Sequence, residues 1–135
     1  MDRGRRRENT EYTAQEPRSV KDFERALREE VSVSTDFDLP LSILVARSQH
    51  KWIPENMRQI VGLLRRGDLI ACPGPDEIVI ALPNTKLEDA KVVERRLREA
   101  IPESAIDIAF QEPGDASHGL LCRARAAAER ENLSR

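Results

Sequence analysis

The chain is poor in the residues that most often announce a function. It holds two cysteines and two histidines in 135 residues, and neither Cys72 nor Cys122 falls in a metal or redox spacing. A zinc finger, a CxxC redox centre and a disulfide scaffold therefore have no signature, and buried free thiols in a reducing compartment are expected. His50 and His118 read as solvated or turn residues rather than ligands. Aromatics are scarce at three Phe, one Tyr and one Trp, so Leu, Ile, Val and Ala must fill the core. No apolar run reaches the roughly 18 residues that a membrane helix needs, and the N-terminus lacks the apolar segment of a secretory signal. A cytoplasmic protein without membrane contact is the expectation. No charge of one sign prevails. With 22 basic against 24 acidic side chains, net −2, there is no electrostatic case for DNA or RNA.

What is present suits one small soluble domain: 39% apolar and 34% charged residues over a length too short for two domains. Residues 1–18 are polar, charged and without periodicity, which predicts a disordered tail. The basic cluster Arg3 to Arg7 belongs to it and reads as solvated. The domain is expected over residues 19–135. Ser19 is placed to cap a helix whose face is Val20, Phe23, Leu27 and Val31, and Asp36 to Pro40 breaks it. Leu41-Ser42-Ile43-Leu44-Val45-Ala46 is a nearly continuous apolar run, the mark of a buried central strand. Pro54 opens a second helix with Met57, Ile60, Val61 and Leu64 on one face and Gly67 as its expected stop. Strand-like runs follow at 68–72 and 78–82, joined by a Pro-Gly-Pro-Asp turn. Pro83-Asn84-Thr85 precedes a third helix, Pro102 ends it, residues 105–110 alternate as a strand, and an Ala- and Arg-rich helix closes the chain. The order implies an α/β (α+β) fold with a ferredoxin-like βαββαβ core and flanking N- and C-terminal helices.

The stretch Arg65 to Thr85, RRGDLIACPGPDEIVIALPNT, carries a motif as well as a hairpin. Together with the strand Pro40 to Val45, the approach Leu64 to Ala71, the segment Ile78 to Thr85 and the later strand Ile106 to Phe110, it resembles the GGDEF domain of diguanylate cyclases. The resemblance covers about residues 19–132. Active members of that family condense two GTP molecules into cyclic di-GMP across a dimer, using metal-bound triphosphates.

Three features of the resemblance imply lost chemistry. The family's metal-binding Asp at the end of the first strand falls at Arg47, and a cation repels magnesium. The signature has become Gly74-Pro75-Asp76-Glu77-Ile78, in which Pro75 removes a backbone donor and fixes φ. Asp76 and Glu77 persist, but they also read as a turn Asp and a strand-start Glu. The family's helical segment after the first strand, which helps to hold guanine and phosphates, is reduced to Lys51-Trp52-Ile53 between His50 and Pro54. No enzyme, no metal and no cofactor are expected.

Arg65-x-x-Asp68 stands apart. In the family an Arg-x-x-Asp ending five residues before the signature forms an inhibitory product site for cyclic di-GMP, and Leu69 to Pro73 are those five residues here. Arginine can pair with guanine O6 and N7 or stack on the base, and a carboxylate can accept from guanine N1 and N2. The same residues also read as a C-terminal helix charge followed by a strand start. A second arginine from a neighbouring surface would complete the site, with Arg95, Arg96 and Arg98 as candidates. Two functions stay open: a non-catalytic cyclic di-GMP receptor that signals to a protein partner, and a nucleotide-independent scaffold that dimerises or docks through a surface at Trp52 and Ile53.

Overall fold

The computed structural model describes residues 17–49 and 54–133. Among them, α1 spans Val20–Phe37, β1 Leu41–Arg47, α2 Pro54–Val61, β2 Leu69–Gly74, β3 Glu77–Pro83, α3 Leu87–Ala100, β4 Ala105–Phe110 and α4 Ser117–Leu133. The expected tail up to residue 16, together with His50, Lys51, Trp52 and Ile53, lies outside the described residues. The strands form one sheet in the order β2-β3-β1-β4, every neighbouring pair antiparallel. This is the ferredoxin-like order expected from the element series.

The apolar run of β1 is explained by its place. It lies between β3 and β4 with six of its seven residues buried, and its side chains alternate between two cores. Ile43 and Val45 face Phe23, Leu27 and Val31 of α1 and Leu120, Ala124 and Ala128 of α4. Leu44 and Ala46 face Ile60 of α2, Ala90 and Leu97 of α3, and Leu64 beyond α2. Helices thus cover both faces of the sheet.

The ends of α1 follow local chemistry. Ser19 Oγ accepts the Asp22 N–H at 3.1 Å, and Asp38 closes the helix in the left-handed region at φ 54° with its N–H on the Ser34 carbonyl. Arg18 is already docked, its N–H donating to the Ile70 carbonyl at 2.8 Å. Other boundaries differ from expectation. Helix α2 ends at Val61 rather than running to Gly67, because Gly62 follows with poor helix propensity. The chain tightens there into bonds three residues back, Leu63 to Ile60 and Leu64 to Val61 at 3.0 and 3.1 Å. Leu64 still reaches the core, and Gly67 lies in a turn closed by the Asp68 N–H on the Arg65 carbonyl at 3.0 Å. Helix α3 starts after Lys86, which makes no side-chain cap; Thr85 is instead buried at the foot of the sheet. Strand β2 extends to Gly74 through a register shift after Ala71. Pro73 fits there because β2 is an edge strand and needs no N–H at that point.

The expectation of two buried thiols is corrected. Cys72 is half-buried with its Sγ 4.0 Å from Met57 Sδ, whereas Cys122 is exposed. Leu120, Leu121, Ala124 and Ala128 take the buried face of α4, and Cys122 falls outside it. No helix among the described residues is long and apolar enough to cross a membrane.

Candidate functional site

The signature residues sit at one end of the sheet. Gly74 and Glu77 pair across a two-residue turn of Pro75 and Asp76, and β1 ends alongside with Arg47 opposite Glu77. The Ser48 N–H donates to the Asp76 carbonyl at 2.9 Å, tying the turn to the end of β1. Asp76 folds back over Gly74, whose missing Cβ would stand 3.3 Å from Asp76 Oδ1. That close approach gives Gly74 a reason of its own, independent of any phosphate.

Glu77 is the centre of this end. Its side chain is only 4% exposed, and Arg125 of α4 donates to both carboxylate oxygens, Nε to Oε2 at 2.7 Å and Nη2 to Oε1 at 2.8 Å. Arg47 Nη2 lies 3.4 Å from Oε2, while Arg47 Nε is buried without a hydrogen-bond partner. The Glu77 fork holds the Arg125 guanidinium further toward its charged form. A magnesium ion takes clustered anionic oxygens. This end offers two carboxylates, Asp76 in the turn and Glu77 already bracketed by two guanidinium groups, and among the described residues no group of three or more His, Cys, Asp or Glu side chains converges. Sequence reading found Arg47 and Glu77 but missed Arg125, which lies 48 residues beyond Glu77; only the packing of α4 on the sheet brings it there.

Arg65 and Asp68 occupy the opposite end. The six residues of β2, at about 3.3 Å each, separate them from the hairpin by roughly 20 Å. Asp68 is buried and its Oδ2 accepts the Arg65 backbone N–H at 2.7 Å. Burial pushes the Asp68 carboxyl above its ordinary value, and Arg65's N–H and charge pull it part of the way back. Arg65's own side chain is 59% exposed, and its guanidinium lies 3.6 Å from Asp68 Oδ1. It donates to Thr85 Oγ1 at 2.7 Å and to the Pro83 carbonyl at 3.2 Å. Asp68 thus braces the loop from beneath and presents Arg65. The two do not stand side by side as equal ligand groups. With Arg66, Gly67 and Pro83 they line a shallow depression of about 310 Å³.

No family model and no curated protein matches the sequence. Solved structures do match. The chain is similar to the GGDEF domain of YfiN (TpbB) from Pseudomonas aeruginosa, with TM-score 0.78 at 19% identity over 89% of this chain and 92% of that one. It is similar to the GGDEF domain of DgcB from Caulobacter crescentus, solved with c-di-GMP, with TM-score 0.74 at 14% identity over 95% and 93%. It also matches the diguanylate cyclase SiaD from Pseudomonas aeruginosa, solved with its activator SiaC, with TM-score 0.77 at 19% identity. That match covers 93% of this chain but 60% of SiaD, so the chain spans about three-fifths of that protein.

The chain has a GGDEF-like fold.

Within this GGDEF-like domain the remaining expected residues are dispersed. Arg98 is committed to Glu94 at 2.9 Å and to the Ile106 carbonyl at 2.8 Å. Arg95 and Arg96 are exposed in the second half of α3, on the order of 12 Å along the helix from its start, and α3 starts at the end of the sheet where Arg65 stands. They do not share Arg65's depression within one chain. A feature the sequence did not suggest is a groove of about 550 Å³ between the end of α1 and the segment after β4, lined by Thr35, Asp38, Lys86, Gln111 and Glu112 among others. Two acids against one lysine make it a poor host for phosphates. The Arg65 depression, with two arginines and one braced acid, is the cationic one.

Proposed function

We propose that this chain is a catalytically silent GGDEF-like signalling domain that reads cyclic di-GMP through Arg65 and passes the state to a protein partner. The observation that carries the reading is the contrast between the two ends of the sheet. At the hairpin, Glu77 is bracketed by Arg47 and Arg125, which supports loss of the metal-bound triphosphate chemistry. At the other end, Arg65 is exposed and held by Asp68 and Thr85 beside Arg66. A guanidinium so presented can stack on guanine or fork onto O6 and N7, and the two arginines can offset the phosphates of a cyclic dinucleotide. Asp68 acts as the positioning residue. That DgcB was solved with c-di-GMP and SiaD with an activator protein supports both kinds of partner for this fold.

Calorimetric titration with cyclic di-GMP tests it. Wild type is expected to bind, and Arg65→Ala to lose about 1–3 kcal/mol, roughly 5- to 150-fold in Kd. Absence of heat with the fold intact would remove the receptor, and turnover of GTP with magnesium would remove the silence. The scaffold reading has one observation of its own: Val33 and Phe37, one helical turn apart on α1, are 43% and 71% exposed. Apolar side chains so placed suit a docking face. Binding of the partner without any nucleotide would favour it.

A further inference from the structure

Outside both ends of the sheet, α4 carries a pair of side chains that sequence spacing to other cysteines conceals. His118 and Cys122 are one helical turn apart, both exposed, with Cys122 Sγ 3.5 Å from His118 Nε2. Residues at i and i+4 lie on the same helix face, so the helix keeps these two side chains within reach of each other. Tetrahedral zinc takes thiolate at about 2.3 Å and imidazole at about 2.0–2.1 Å, which places the two donor atoms about 3.5 Å apart. Without an ion the two groups share a thiol–imidazole hydrogen bond at 3.5 Å, and the same separation suits two neighbouring corners of the coordination shell. We propose that His118 and Cys122 form a chelating half-site for a soft divalent cation, with zinc as the best fit.

The surroundings are compatible with a cation. Arg125, one turn beyond Leu121 on the same helix, adds positive charge near Cys122, but its guanidinium is neutralised by the two-bond fork to Glu77. Glu24 and Arg28 of α1, one acid and one base, line the same small depression as His118 together with Ser117, so the facing helix adds no net charge there. Among the described residues no three metal-binding side chains converge, so the chain supplies two ligands. Solvent completes the shell, or a second copy brings its own His118 and Cys122. In binding, the Cys122 S–H loses its proton to solvent and the sulfur donates to the ion, while His118 donates through Nε2 in the tautomer protonated at Nδ1. One proton is released per ion bound.

The test is titration of the full chain with cobalt as a spectroscopic stand-in, followed by zinc competition against a chromophoric chelator. Cys72→Ser serves as the background because Cys72 is the other thiol. A thiolate-to-cobalt charge-transfer band is expected in that background, and Cys122→Ser abolishes it. His118→Ala weakens zinc binding by at least about tenfold, since even residues behind a metal ligand cost about 10–100-fold when removed. One ion per chain and one ion per two chains both support the half-site and tell solvent from a second copy. Both side chains are exposed, so unchanged thermal unfolding of the apo variants confirms that folding is not at issue. Absence of the charge-transfer band, or zinc affinity unaltered in His118→Ala, overturns the proposal.

Discussion

Removing Arg125 should cost far more than an ordinary surface substitution. Arg125→Ala takes away both short bonds to Glu77, whose side chain is 4% exposed and so cannot turn to water. Breaking a buried ion pair by deleting one partner costs about 3–5 kcal/mol. Two facts move the figure to the low end: Arg125 is itself 40% exposed, and Arg47 remains 3.4 Å from the carboxylate. The expected loss is about 3 kcal/mol. For a domain of this size that is a fall in Tm of about 10 °C. The decisive comparison is the double variant Glu77→Ala/Arg125→Ala. It removes the buried carboxylate and with it the partner of Arg47, whose side chain is 20% exposed, so the loss in the double variant should differ from the sum of the two single losses by more than about 0.5 kcal/mol. Urea titrations of wild type, both single variants and the double variant measure the whole cycle. A loss in Arg125→Ala within about 0.5 kcal/mol, the range of neutral surface changes, would refute the clamp. So would strictly additive losses in the double variant.

Two further outcomes follow from groups already described. Asp68 has a folded-state affinity for protons above that of the unfolded chain. Between the ordinary carboxylate value and its raised folded value the native state therefore binds more protons, and this group's contribution to stability grows as pH falls through that window. Asp68→Asn should lack that increment; parallel urea midpoints of wild type and variant from neutral to acid pH would show the assignment to be wrong. At β4, the outward-facing N–H and C=O of Ile106 are met by Glu131 Oε2 at 3.3 Å and Arg98 Nη2 at 2.8 Å. The Phe110 carbonyl is met by Arg123 Nη2 at 2.9 Å. These side chains blunt a free sheet edge, so Arg98→Ala/Glu131→Ala should shift gel-filtration elution toward larger, concentration-dependent species. An unchanged profile would mean that the edge is protected by other means.

The fold was largely legible because each strand and helix has a one-dimensional signal that packing did not override. The run 41–46 reads as a buried central strand and is one, and of the expected helix face Val20, Phe23, Leu27 and Val31 the structure buries the last three and leaves Val20, in the first turn, 39% exposed. Signals failed where tertiary position decides. Gly67 looked like a helix stop, but Gly62 came first and ended α2 five residues earlier. Cys122 looked buried by its apolar neighbours, yet the buried face of α4 is set by Leu120, Leu121, Ala124 and Ala128. The site was half legible. Arg47 and Glu77 could be paired from the resemblance, but Arg125 has no local mark, since a lone Arg in an Ala- and Arg-rich helix carries no address. His118 reads in the sequence as a histidine without a nearby cysteine, yet Cys122 lies one helical turn on and its Sγ is 3.5 Å from His118 Nε2.

The register between Arg65-x-x-Asp68 and the signature also acquires a structural cause. Five intervening residues looked like a functional spacing, but Leu69 to Pro73 are the body of β2, and Leu69 must pair with Ala81 while Gly74 pairs with Glu77. The spacing is the length of this edge strand with its one extra residue after Ala71, whether or not the two ends still cooperate. The spacing is therefore no evidence for ligand binding. What separates the receptor from the scaffold is the state of Arg65 itself. A purely structural arginine in the last turn before a strand needs only the contacts within its loop, and Arg65 has them in Thr85 and Pro83. It nonetheless leaves more than half its side chain in solvent next to Arg66. Thermal unfolding in the presence of cyclic di-GMP should therefore raise Tm in wild type and not in Arg65→Ala. A shift of equal size in both would place the nucleotide elsewhere on the domain.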